Sequence, residues 1–189
     1  MTLRRALWLV IGGVATVALV GFAVTRILMR PPAGDPAVST EPPSGAAPLA
    51  HIRATLFYAA PEGEHLRSVV REVPLAEQLE EQGWQIVNVA LHAPPAPLLG
   101  AVPAGTVVRG FFIAEGGDAF VDLSGAGLTG QGGGSTAEAL AVYAIVNSVT
   151  ANLPSVKRVQ ILVDGKEVDT LAGHLDLRHP LQANLALAQ

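Results

Sequence analysis

Between Ser135 and Lys166 the chain carries a succession of signals that leaves few ways to fold it. Ser135-Thr136-Ala137-Glu138 has the S-x-x-E spacing of a capping box, in which each side chain bonds an otherwise free N–H of the first helical turn. Ala139, Val142, Val146, Val149 and Leu153 then recur at steps of three and four, one stripe of a helix. The opposite side, with Leu140, Tyr143 and Ala144, is weakly polar, so the helix is expected to be buried over much of its circumference. Pro154 cannot continue it. Val159, Ile161 and Val163 alternate with Arg158, Gln160 and Leu162 and read as a strand. Asp164-Gly165 follows as a hairpin signal, because both central positions of a type I′ turn need positive φ.

The rest of the domain extends upstream to His51. Ile52–Tyr58 reads as a strand with Ile52, Ala54, Leu56 and Tyr58 on one face. Pro61-Glu62-Gly63 is a turn, and Leu66–Val73 a second strand, interrupted by Pro74. Leu75 to Leu91 reads as a helix with acidic first turns from Glu77 to Glu81; Gly83 weakens it, and Trp84–Val89 could stand instead as a strand. Residues 93–105 form a Pro/Gly-rich connection. Residues 106–114 and 119–124 are two strands around Glu115-Gly116-Gly117-Asp118, and 125–134 a glycine loop. A short partner at Glu167–Leu171 and an edge strand at Gly173–Leu177 complete the expectation. It is an α/β (α+β) domain: a mixed sheet of four to six strands with two helices on one face.

Ahead of the domain, Ala6 to Thr25 holds no charged residue. Twenty helical residues span ~30 Å, the hydrocarbon thickness of a bilayer. A cleaved signal peptide would have a shorter apolar region and a small-x-small site, whereas this run ends in Thr25-Arg26-Ile27-Leu28-Met29-Arg30. An uncleaved transmembrane anchor over residues 1–30 is the expectation. The α-amine, Arg4 and Arg5 favour an N-terminus inside and a C-terminal domain outside. Residues 31–50 contain six prolines and almost no large apolar residue, a linker that is either an extended stalk or without set length. Residues 51–189 form the domain, with eight Lys and Arg against fourteen Asp and Glu, a net charge of −6. That acidity argues against nucleic acid as a partner, since neutralising phosphates needs clustered Lys and Arg. The absence of cysteine excludes disulfides and thiolate-held metals.

Chemical motifs fail on inspection. Gly130-Gln131-Gly132-Gly133-Gly134-Ser135-Thr136 ahead of a helix suggests a phosphate cradle, but no Lys precedes Ser135-Thr136 as a P-loop requires. His51, His65, His92, His174 and His179 include no i, i+4 pair. His174 and Asp176 would share a strand face, giving two metal ligands at most. There is no G-x-S-x-G nucleophile elbow. Glu115, Asp118 and Asp122 bracket a hairpin and fit turn and strand-end roles. Asn147, set in an apolar helix, needs partners in the sheet, a loop or a protein interface; a partner within the fold is the expectation. No catalytic, cofactor-binding or metal-binding residue is assigned.

Several stretches together resemble the GerMN domain family of sporulation and spore germination. They are Gly134-Ser135, Ala144–Thr150, Val156, Val159–Lys166, Gly173–Leu177 and Pro180-Leu181, and upstream Leu56-Phe57-Tyr58, Arg71–Leu75, Pro103–Thr106 and Val121–Ser124. The likeness covers about residues 52–182, and order and spacing carry it, not one motif. Ala93-Pro94 departs from the Gly-Pro that often ends the family's first helix. The resemblance implies a non-catalytic interaction or assembly module in a sporulation, germination or cell-envelope setting. It also implies protein partners or self-association, with peptidoglycan nearby. The sheet edge at Gly173–Leu177 would be the means. A regulator of a peptidoglycan-processing enzyme and a small-ligand-binding domain are the alternatives.

Overall fold

The computed structural model describes residues 50–92, 94–125, 127–129 and 134–189. The expected anchor and nearly all of the linker lie outside the described residues, as do Gly130–Gly133 of the glycine loop. Two strands open the domain, β1 (His51–Ala59) and β2 (Leu66–Pro74), followed by helix α1 (Leu79–Leu91). Strands β3 (Val107–Ile113) and β4 (Asp118–Ser124) lead to helix α2 (Gly134–Asn152). Strand β5 (Arg158–Val163), the short β6 (Lys166–Glu167) and a 3-10 turn at Leu185–Leu187 complete it.

The strands form two sheets instead of the single one expected. β1 and β2 pair alone, antiparallel, with Leu56 opposite Val69. The second sheet runs β3-β4-β5-β6 and is mixed, because β4 and β5 are parallel while the other pairs are antiparallel. A parallel pair needs a crossover, and α2 supplies it. The separation has a local cause. β1 cannot add to the second sheet because its outer edge is taken by helix α2: Asn152 Oδ1 accepts from Thr55 N–H at 2.8 Å, and Asn152 Nδ2 donates to Thr55 C=O at 2.7 Å. Ser148 Oγ accepts from Phe57 N–H at 3.1 Å. One carboxamide thus does for Thr55 what a neighbouring strand would do. Phe111, Val121 and Ile161, paired across β3, β4 and β5, bring one face of the second sheet into the core with residues of both helices. α2 packs on both β1 and β5, and α1 packs on β3, β1, β2 and α2.

Burial follows this placement. Residues from Leu140 to Val149 are buried with the single exception of Tyr143, so α2 is enclosed on nearly every side, as its weak amphipathy foretold. Ala54, Leu56 and Tyr58 of β1 join Ile86 and Val87 of α1, Val121 and Leu123 of β4, and Val142, Ile145 and Val149 of α2 in one core. Phe57 and Leu66 pack with Leu140 and Ala144 on the other side of β1.

Helix α1 is a helix throughout, and Trp84–Val89 is not a strand. Gly83 is present because the Phe111 ring lies against it: a Cβ there would fall 2.2 Å from Phe111 Cε1. The helix begins at Leu79, later than expected, because Gln78 is extended (φ −96°, ψ 141°) and the residues before it are tied to other groups. Leu75 N–H donates to Ala50 C=O, and Ala76 N–H to Gln82 Oε1. The turn after β5 has positive φ at both Asp164 (51°) and Gly165 (76°), the geometry foreseen from their identities. Residues 173–177 form no strand, and β6 is two residues long where five were expected.

Candidate functional site

The densest polar assembly is built around Glu138, in the second turn of α2. Its side chain is wholly shielded from solvent. The expected capping box does not form through it. Both carboxylate oxygens are taken by the segment after β6. Oε1 accepts from Leu171 N–H at 2.8 Å and Ala172 N–H at 2.9 Å. Oε2 accepts from His174 N–H at 2.8 Å and lies 3.0 Å from His174 Nδ1. A carboxylate has no proton to give, so Nδ1 is the donor. Burial pushes this carboxyl upward, but the N–H groups of Ala172, His174 and Leu171 and the imidazole outweigh it, holding Glu138 below the usual glutamate range. This assembly is why Gly173–Leu177 is not an edge strand: Gly173 N–H goes to Thr170 Oγ1, His174 N–H to Glu138, and Leu177 N–H to Asp169 C=O.

Beside Glu138 lies a cavity of about 260 Å³, walled by Ala101, Val102, Leu128, Ala141 and Leu171 among others. Apart from Glu138 the lining side chains are small or apolar, but backbone groups make the surface mixed in polarity, and the Glu138 oxygens serve the 171–174 segment.

The other sequence candidates are dispersed. His174 and Asp176 do not converge: His174 turns to Glu138, and Asp176 forms a forked pair with Arg178 at 2.9 and 2.7 Å. Asp118 takes Arg158 in the same forked manner at 2.6 and 2.7 Å, tying β4 to its parallel neighbour β5. Asp122 accepts from Gly165 N–H at 2.7 Å. Asp164 accepts from Ser124 Oγ at 2.6 Å and Arg109 at 3.2 Å. The Ser124 bond, with the Arg109 guanidinium and Lys166, holds Asp164 below the usual aspartate range against the opposing effect of desolvation. These carboxylates clasp the turn that β5 makes into β6. His65 pairs with Glu62 at 3.3 Å within the first hairpin loop. Asn147 exchanges two bonds with the backbone of Asn184, both 2.9 Å, so its partners are within the fold. Among the described residues, no group of three or more His, Asp or Glu is placed to hold a metal ion.

Sequence reasoning missed Ser148 and Asn152. Their spacing of four on one helix face was visible, but nothing in the sequence showed that β1 would lie along that face.

A two-sheet α+β domain with a buried crossover helix, and with its buried polar groups engaged by its own backbone, is the class of protein defined here. The chain belongs to the Germane family, described as sporulation and spore germination, whose model matches residues 55–169. Two solved structures share the fold. One is a candidate lipoprotein from Clostridium perfringens, 22% identical, covering 70% of this chain and 88% of that one, with a TM-score of 0.50. The other is the tandem GerMN domains of the sporulation protein GerM from Bacillus subtilis, 16% identical with a TM-score of 0.51. It covers 70% of this chain, which spans 46% of the tandem. No curated protein is similar enough to count as a match.

Proposed function

We infer that this chain is a membrane-anchored, extracytoplasmic interaction module that works without catalysis in sporulation, germination or envelope assembly. The family assignment supports the setting. The observation that carries the non-catalytic reading is the engagement of the buried charge: Glu138 meets four donors from one segment and has no oxygen turned toward a substrate. A general acid or base needs a proton-transfer path to its target. The uncharged run Ala6–Thr25 supports the anchor. A thioether-linked lipid is not available to this sequence, which has no cysteine. Among the described residues no helix is long and apolar enough to cross a membrane, so the anchoring role rests on that N-terminal run.

The test is a deletion strain complemented by Glu138→Gln. A fold-maintaining role predicts that complementation follows the amount of folded protein. A strain that keeps normal folded levels but loses function would point to chemistry at Glu138 and overturn the reading. A second reading has its own observation, the cavity beside Glu138. Its size and its small, uncharged lining side chains beside Glu138 suit a small uncharged ligand, and stabilisation of the protein in a ligand screen would support it.

A further inference from the structure

We propose that the outer edge of β2 is a self-association site, at which a second copy of this chain adds its own β2 antiparallel about Val70. The inference rests on the interaction-module reading and names its surface.

The strand edges of the domain are treated differently. β1 is blunted by Ser148 and Asn152 of α2. β3 is broken by a register shift between Val108 and Gly110, and Trp84 Nε1 donates to Val108 C=O at 3.3 Å. β6 is two residues long. β2 is nine residues, regular along its whole pairing with β1, and rich in β-branched residues. Long regular edges of this kind invite pairing, and proteins normally interrupt them.

The phase of the strand shows which groups are offered. Thr55 and Phe57 spend their backbone groups on α2, so Ala54, Leu56 and Tyr58 bond β2. Their partners are Arg71, Val69 and Arg67. The backbone groups of Ser68, Val70 and Glu72 therefore face away from β1. Among the described residues none of them bonds to another segment of backbone. The same edge already takes up an extended segment at its start. Leu66 C=O accepts from Gln189 N–H at 3.0 Å, and Leu66 bridges Ala188 in parallel.

A second β2 fits this edge under two-fold symmetry. With Val70 on the axis, Val70 meets Val70 of the partner copy, and each Ser68 hydroxyl lies opposite a Glu72 carboxylate. Val70 is 50% exposed, so the pairing covers apolar surface now in water. The neighbouring registers are opposed by charge. Sliding by two residues one way sets Arg67 opposite Arg71, and the other way sets Arg71 opposite Arg71, and like charges directly opposite are destabilising. Such an interface is isologous and closes at two copies.

The absence of native cysteine makes a direct test available in the full-length chain in membrane vesicles. Directly opposed residues of a hydrogen-bonded antiparallel pair stand about 5.5 Å apart at Cα, within disulfide reach. Val70→Cys is expected to give, on mild oxidation, a linked species of twice the monomer mass as the main product. Leu185→Cys, at a site 60% exposed on the 3-10 turn, is the accessibility control and is expected to stay monomeric. Ser68→Cys alone is expected not to cross-link, and Ser68→Cys mixed with Glu72→Cys is expected to do so. Equal cross-linking of Val70→Cys and Leu185→Cys, or no cross-linking of Val70→Cys, overturns the proposal. If the uncross-linked protein still complements a deletion strain through another envelope protein, the interaction-module reading survives that failure.

Discussion

Glu138 shows how one residue can fix a segment that has no secondary structure of its own. Replacing it with Ala leaves the N–H groups of Leu171, Ala172 and His174 without acceptors in a shielded place, and each unsatisfied buried group carries its own penalty. Glu138→Ala is expected to lose about 3 kcal/mol of folding stability, measured by urea unfolding. The same site makes stability depend on acid. Its folded pKa lies below its unfolded value, so its contribution is complete above the ordinary glutamate value of 4.5 and disappears as pH falls through the folded value. The stability gap between the wild type and Glu138→Gln is therefore expected to be widest near neutrality and to narrow below pH 4.5, which melting curves from pH 7 to 3 would show. Gly83 poses a contest between two effects. Ala in place of Gly gains ~1 kcal/mol of helix propensity. The added methyl would sit 2.2 Å from the ring of Phe111, itself held in the core, and overpacking costs about 1–3 kcal/mol. The clash is expected to win, giving Gly83→Ala a lower melting temperature, with Phe111→Leu restoring part of the loss.

At the scale of elements, the split into two sheets turns on Asn152. Asn152→Ala removes the only side chain that bonds both backbone groups of Thr55 among the described residues, and about 1–3 kcal/mol of stability should go with it. Hydrogen exchange at the Thr55 amide is expected to quicken more than at Leu56, which points to β2. Unchanged exchange at Thr55 would mean that α2 does not protect this edge. The same residue marks the limit of what the sequence discloses. Elements set by local rules were legible: the 3.6-residue stripe of α2, the alternation of β5, and the Asp164-Gly165 turn. Elements whose N–H groups are claimed from far along the chain were not. Leu75–Gln78 has helical company but bonds Ala50 and Gln82, and Gly173–Leu177 alternates like a strand but is drawn to Glu138. Glu138 itself fits the capping-box spacing, yet a partner 36 residues away outcompetes the local one. Asn147 was readable in kind, since a buried amide demands partners, although Asn184 could not have been named.

For the whole molecule, the proposed anchor raises the question of which side of a membrane the domain occupies. In the proposed anchor, the twenty uncharged residues Ala6–Thr25 would gain far more from a bilayer than two short flanks of arginine would lose. The proposed orientation, with the N-terminal side inside, sets Arg4 and Arg5 on one side against Arg26 and Arg30 on the other. Adding positive charge beyond Thr25 should work against that orientation. The full chain carrying a C-terminal alkaline phosphatase, an enzyme active only outside the cytoplasm, is expected to be active and to resist extraction from membranes at high pH. Replacing Arg4 and Arg5 with Glu, together with Ile27→Lys, is expected to lower phosphatase activity per molecule without releasing the protein. Phosphatase activity in the soluble fraction, on a product shortened to begin near Arg26, would show a cleaved leader in place of an anchor. The domain would then act as a free envelope protein, and pairing through β2 would have to proceed without the local concentration that a shared membrane provides.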